Sequence, residues 1–257
     1  MFSRLFQKIA WSRSSNECRK PMTHKTIGII GGAGPLATVD FERRLLALAN
    51  AASDQEFPII ITFNNSQIPD RTKAILDRGS NPTKEIIRTI ETLKHAGAEI
   101  LCFPCNTSHA FYEEFAPALQ GVEFVHLPRA VKEYMKTYLP DIKTIGILCT
   151  EGTRLSGVYD RKLGKEYAII YPKETTQTHC VSQAIYGKRG IKAGYTTEPR
   201  AILKEAVDEL VELGAEAILL GCTELPLVLK KARVPLIDTS EVLAKAVLAR
   251  ASVPRSS

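Results

Sequence analysis

No apolar run in the 257 residues approaches the roughly 20 that a membrane-spanning helix needs. With a mean hydropathy of −0.07 the expectation is a globular protein with no membrane partner. A nucleic-acid footprint is also missing, although the net charge is +6 and the pI near 9.0. Residues 1–25 hold six basic side chains against Glu17 alone, a net +5, which leaves only +1 for residues 26–257. Acids are scarce in the leader 1–24, and its apolar stretch is broken by Arg4 and Lys8. That excludes a secretory signal and leaves two readings, an organelle transit peptide or an extended start before Met22. Cys102 and Cys105 have no second closely spaced Cys/His pair to complete a tetrahedral metal site. Six cysteines scattered through a long chain do not read as a disulfide scaffold either. Reduced thiols in a cytoplasmic compartment fit better.

What is present is hydrophobic content of 44%, enough for a sizeable core. Short β-rich runs alternate with segments of helical period, the pattern of an α/β chain with parallel sheets. Strands are expected at 26–30, 58–63, 99–103, 122–126, 143–148, 167–171, 216–220 and 234–237. Helices are expected at 36–51, 83–96, 107–118, 128–138, 153–163, 198–213 and 239–250.

The chain also repeats itself. KTIGIIGG at 25–32 matches KTIGILCT at 143–150, and VEFVHLPRAVKEY at 122–134 matches VPLIDTSEVLAKA at 234–246. Between them, Gly97-Ala98-Glu99 stands eight residues before Cys105 and Gly214-Ala215-Glu216 eight before Cys222. Three matches in the same order predict two similar α/β domains, 25–128 and 129–237, related by a pseudo-two-fold axis. The last segment, 238–257, is then a C-terminal helix that can pack back on the first domain.

Both cysteines fall at the carboxyl end of a strand, where open parallel sheets gather functional groups. Each is expected at a helix start, where dipole and unpaired N–H groups favour a thiolate. Across a shared cleft, one thiolate and one thiol can take a proton from one face of a carbon and return one to the other. Racemisation of an amino acid needs that arrangement. Asn106, Thr107, Ser108 and Thr223 are placed to donate hydrogen bonds to the substrate carboxylate as charge develops.

Taken together, KTIGIIGGAGPLAT, PDRT, PCNTSH, IKAGY and GCTELPLVL resemble the cofactor-independent aspartate/glutamate racemase family, its aspartate racemases in particular. The resemblance runs from about Lys25 to the end. It implies a two-domain α/β fold with the site between domains, a catalytic pair at Cys105 and Cys222, and no cofactor or metal. It further implies that Arg71 and Lys192 bind the side-chain carboxylate of an acidic amino acid, and it suggests a homodimer. A lone Arg or Lys is ordinarily a surface charge; the motif context reverses that reading here. Glu224 is assigned to the substrate amine or to support of its neighbours. Ala33 stands where many relatives have Met. Aspartate and glutamate both remain open as substrates.

Three other readings compete. Gly32-Ala33-Gly34-Pro35-Leu36-Ala37 satisfies a dinucleotide fingerprint, but neither Asp54 nor Glu56 is expected at a strand end where a ribose ligand belongs. Cys102-Phe103-Pro104-Cys105 resembles a thiol–disulfide exchange motif, except that Cys102 is expected inside an apolar strand. The third is a non-catalytic amino-acid-binding protein. His109, His126 and His179 are read as surface, capping or cleft-edge histidines.

Overall fold

The computed structural model describes residues 22–254, so residues 1–21 of the leader, with Cys18, lie outside the described residues. All eight expected strands form: β2 Ile27–Gly31, β3 Ile60–Asn64, β4 Ile100–Cys102, β5 Glu123–Val125, β6 Thr144–Cys149, β7 Ala168–Ile170, β8 Ala217–Gly221 and β9 Leu236–Asp238. They make two parallel four-stranded sheets of one topology, β3-β2-β4-β5 and β7-β6-β8-β9. Ile27 lies opposite Ile60 and Ile100, and Ile145 opposite Ile169 and Ala217. Two further strands, β1 Met22–His24 and β10 Ser252–Pro254, pair antiparallel and join the two ends of the described chain. Periodicity does not reveal them, because three residues carry too little pattern.

The repeated Gly-Ala-Glu has a structural reason. Gly97 and Gly214 adopt φ of +94° and +96°, the left-handed turn that ends helices Thr83–His95 and Thr197–Glu212. Ala98 and Ala215 then return N–H groups to Leu93 and Leu210. Glu99 accepts the backbone N–H of Thr26 at 2.8 Å, and Glu216 those of Lys143 and Thr144 at 2.6 and 2.7 Å. The motif therefore locks each helix-to-strand turn onto the start of its neighbouring strand.

We label the main helices α1 Pro35–Leu48, α2 Arg71–Ile75, α3 Thr83–His95, α4 Leu127–Tyr138, α5 Thr197–Glu212 and α6 Thr239–Ala251. The outer face of the first sheet is covered by Ile86, Ile90 and Leu93 of α3, and that of the second by Leu203, Val207 and Leu210 of α5. The largest core layer is shared by both halves. It combines Phe41 and Leu45 of α1, Val131 and Met135 of α4, and Leu243 and Val247 of α6 with Ile29, Ile147 and Leu219 of the sheets. The C-terminal helix packs on α1 and also on α4. The expected division at 128/129 falls inside the first turn of α4.

Two expected helices break. Residues 107–118 form three short turns, Thr107–Phe111, Tyr112–Phe115 and Ala116–Leu119, with Pro117 lacking the N–H a continuous helix would use. Residues 153–163 split into Glu151–Leu155 and Asp160–Leu163 around Gly157, whose φ is +61°.

Candidate active site

Cys105 follows β4 by three residues and Cys222 directly follows β8, equivalent strand ends in the two halves. Both thiols are free, at 6% and 5% exposure, and both line one cavity of about 20 Å³. Its other walls are Ala33, Arg71, Asn106, Thr107, Thr150, Tyr186, Lys192, Thr223 and Glu224. The volume holds about one water molecule, so the halves are closed on the site. A larger groove of about 490 Å³ lies over the outer face of α5, but Lys173, Lys204, Glu205, Asp208, Glu209 and Glu212 line it without a nucleophile. It reads as a solvated charged face.

The structure brings Cys105, Cys222, Arg71, Asn106, Thr107, Lys192, Thr223 and Glu224 together. Ser108 is different: it is fully buried, lines no part of the cavity, and its hydroxyl has no partner among the described residues. A short 3-10 turn after Cys105 rotates Ser108 away from the wall that Asn106 and Thr107 face. His179 is exposed and outside the cavity. Thr150 and Tyr186 are additions, while Ala33, where many relatives have Met, forms part of the wall. Thr150 occupies the position in the second half that Gly32 holds in the first, the only signal the duplication offered for it.

The helix-start argument for the thiols is corrected by the same geometry. Cys105 precedes a five-residue 3-10 turn and Cys222 a four-residue helix, Leu225–Val228, too short to sum an appreciable dipole. The positive field comes instead from two side chains. Arg71, on α2 behind its Asp70 cap, donates Nη1 to the carbonyls of Ile68 and Pro69 at 3.2 and 2.8 Å and Nη2 to that of Ala33 at 2.7 Å. Its Nε is buried without a partner among the described residues, which leaves two of its five donors unused by them. Lys192 pairs with Glu224, which is 5% exposed. Burial, the largest effect on each, works to lower Lys192 and raise Glu224, but the partner's charge, their hydrogen bond and the neighbouring thiols together outweigh it, leaving Lys192 raised and Glu224 lowered.

Glu224 also accepts from the Cys222 thiol at 3.0 Å and the Thr223 hydroxyl at 3.3 Å. Burial pushes Cys222 well above the ordinary thiol range, and the Glu224 carboxylate pushes it further. The glycine-rich turn after β2 belongs to this cluster. A methyl group on Gly34 would stand 2.6 Å from Glu224 Oε1, and one on Gly32 would strike the backbone of Asn65 at 2.1 Å. These glycines admit protein groups, one from each half, where the fingerprint reading expected a pyrophosphate.

Hydrogen bonds from both halves hold the walls. Asn106 accepts from the hydroxyl of fully buried Tyr159 and donates to Thr239 at 3.2 Å, which in turn donates to Leu220 O, two residues before Cys222. Thr107 shares its hydroxyl with Thr150 and Thr153 at 2.9 and 2.8 Å. His109 is buried: Nδ1 meets Cys105 O at 2.9 Å, while Nε2 accepts the Leu127 N–H at 3.2 Å. That pairing assigns the proton to Nδ1. Burial lowers His109 to about 4 and His126, packed edge-on 4.7 Å away, to about 2. Both are neutral struts.

Cys102 sits on the opposite side of the first sheet from Cys105, in the layer shared by the halves. Burial drives its thiol far up, which removes the exchange-motif reading.

Comparison with known proteins agrees with this geometry. A family model described as Asp/Glu/Hydantoin racemase matches residues 30–247. The broad specificity amino-acid racemase RacX of Bacillus subtilis is 29% identical over 229 residues, covering 86% of this chain and 96% of that protein. A glutamate racemase of Aquifex pyrophilus is 29% identical over 157 residues, 59% of this chain and 58% of that one. Among solved structures, the aspartate racemase of Picrophilus torridus superposes with a TM-score of 0.74 at 26% identity, over 90% of this chain and 96% of its own. Two parallel sheets of one topology, a cysteine at the matching edge of each and a family match over residues 30–247 lead to one assignment: the chain belongs to the Asp/Glu/Hydantoin racemase family.

Proposed function

We propose that this amino-acid racemase acts on acidic amino acids, aspartate foremost, by two-base proton transfer between Cys105 and Cys222. The observation that carries the reading is that both thiols, from equivalent strand ends, line one closed cavity with Arg71 and Lys192. One thiolate removes the α-proton, and the thiol opposite delivers its own proton to the other face, inverting the centre. Arg71, whose Nε–H has no partner among the described residues, and Lys192 receive the side-chain carboxylate. Asn106, Thr107 and Thr223 stand by the α-carboxylate, where negative charge builds up in the transition state. The pair of cations is what favours a dicarboxylic substrate over hydantoins.

Entry requires the halves to part, because the closed cavity admits about one water. Tyr186, which lines the cavity, meets Thr72 of α2 at 3.3 Å, a contact between the halves. The exposed apolar residues Leu36, Val39 and Leu46 of α1 support a homodimer. The charge balance of residues 26–257 supports neither a nucleic-acid nor a membrane partner, and free thiols support a cytoplasmic site of action. Among the described residues no helix is long and apolar enough to cross a membrane.

The test is solvent deuterium exchange into the α-carbon of L- and D-aspartate, with glutamate alongside. Exchange with inversion is expected for both aspartate enantiomers, with a rate that falls on either side of a pH optimum. Cys105→Ala and Cys222→Ala should each lose racemisation by about 10²–10⁴-fold. Absence of exchange with every acidic amino acid would sink the proposal, and one Cys variant at full rate would sink the two-base scheme.

A further inference from the structure

We propose that Glu224 keeps Cys222 in its thiol form in the resting protein, so that Cys105 is the sulfur that begins as thiolate. Duplication placed the two cysteines at equivalent positions, but their surroundings are not equivalent. Cys222 Sγ lies 3.0 Å from Glu224 Oε2, a contact that only a thiol can make favourably. A thiolate there would set two negative charges in hydrogen-bond contact where both residues are only 5% exposed, so their repulsion is strong. Glu224 is held as a carboxylate by Lys192 and the Thr223 hydroxyl. It cannot relieve the repulsion cheaply by taking a proton.

The titratable groups lining the cavity with Cys222 are Arg71 from α2, Cys105 from the end of β4, Tyr186, Lys192 and Glu224. Burial raises the Tyr186 phenol, which stays neutral. Arg71 and Lys192 supply two positive charges and Glu224 one negative, so one thiolate neutralises the cavity and two would overdraw it. Among the described residues no carboxylate hydrogen-bonds Cys105, and Glu224, the one carboxylate of theirs that lines the cavity, belongs to the Cys222 side. The free charge therefore settles on Cys105.

The catalytic consequence rests on the two-base reading. The resting protein takes the enantiomer whose α-hydrogen faces Cys105; the C–H bond breaks, the proton passes to Cys105, and Cys222 gives its proton to the opposite face, while the other enantiomer reacts through the less populated form with the thiolate on Cys222. The turnover leaves a thiolate beside Glu224. Proton exchange with water then restores the resting pair. Glu224 is a positioning residue in this scheme and exchanges no proton.

The ordering is measured without substrate, by alkylating the ligand-free protein with iodoacetamide from pH 5 to 10 and quantifying each cysteine peptide by mass spectrometry. Cys105 should reach its half-maximal alkylation rate at lower pH than Cys222. In Glu224→Gln the Cys222 midpoint should fall by about one pH unit or more, a rise of about tenfold in its rate at pH 7, with the Cys105 midpoint unmoved. Glu224→Asp, which keeps the charge, should keep Cys222 the slower. A Cys222 midpoint at or below that of Cys105, in the wild type or in Glu224→Asp, overturns the proposal, as does an unmoved midpoint in folded Glu224→Gln. Should the thiols order as stated while no acidic amino acid shows deuterium exchange, the proposed acidic-substrate reading fails and the ordering stands; exchange with unordered thiols is the converse.

Discussion

Gly34 shows how much one missing Cβ can decide. Its φ of +148° disfavours any side chain, and the space a methyl group would take is filled by Glu224 Oε1 at 2.6 Å, with Lys192 Nζ at 3.5 Å. Gly34→Ala should displace the Lys192–Glu224 pair. We expect a loss of about 1–3 kcal/mol in urea unfolding and a fall of about tenfold or more in racemisation rate; an unchanged rate would mean that this seat is irrelevant to the site. Cys102 makes the complementary point. It is three residues from Cys105, yet it packs between the halves, so Cys102→Ser should keep the activity. The glycine-rich turn and the two cysteine motifs stand out in the sequence. The sequence could not say what the glycines make room for, since Glu224 and Lys192 lie far along the chain.

Among elements, the segment after Cys105 departs furthest from expectation. Apolar periodicity over 107–118 is real, and Phe111, Phe115 and Leu119 are buried, but the backbone runs in short turns. This lets His109 reach back to Cys105 O and forward to the Leu127 N–H that opens α4. The strut is neutral only while the fold excludes protons. His109 is lowered to about 4 by burial, whereas an unfolded His titrates near 6.5. Between those values the unfolded chain binds more protons than the native one, so stability is full above about pH 6.5 and falls as the pH drops toward 4. The loss for His109 is on the order of 3 kcal/mol, and the lowered His126 adds in the same direction. Urea titrations at pH 7.5, 6 and 5 should show the decline, and His109→Gln should flatten it. A constant stability from pH 7.5 to 5 would contradict the neutral strut. Carboxylates lowered in the fold, such as Glu216 and Glu224, add a loss at the acid end of this window, so the difference between wild type and His109→Gln carries the histidine part.

In the molecule as a whole, the two halves are joined by a common layer rather than by a linker. Leu243 and Val247 of α6 are fully buried among Phe41, Val131, Ile147 and Leu219. Arg44 of α1 bridges to Asp238, which also caps α6 through the N–H groups of Ser240 and Glu241. Leu243→Ala therefore removes packing from both halves at once. It should cost about 2–5 kcal/mol and leave a single unfolding transition by circular dichroism and by intrinsic fluorescence. Two separated transitions would show that the halves fold independently. A half that unfolded alone would also take one wall of the cavity with it.

Local chemistry along the chain determined the eight strands, their repeat, the Gly-Ala-Glu turns and the two cysteines at matching strand ends. Each rests on interactions within about thirty residues or on a comparison of the sequence with itself. Tertiary structure alone decided the rest. It turned Ser108 away, brought Thr150 and Tyr186 in, fitted the Lys192–Glu224 pair over Gly34, and paired Asn106 with Tyr159 and Thr239. These contacts join residues from opposite halves, and closure of one half on the other leaves no periodicity in the sequence to read. The same closure made two duplicated thiols unequal, because only Cys222 folds against a buried carboxylate.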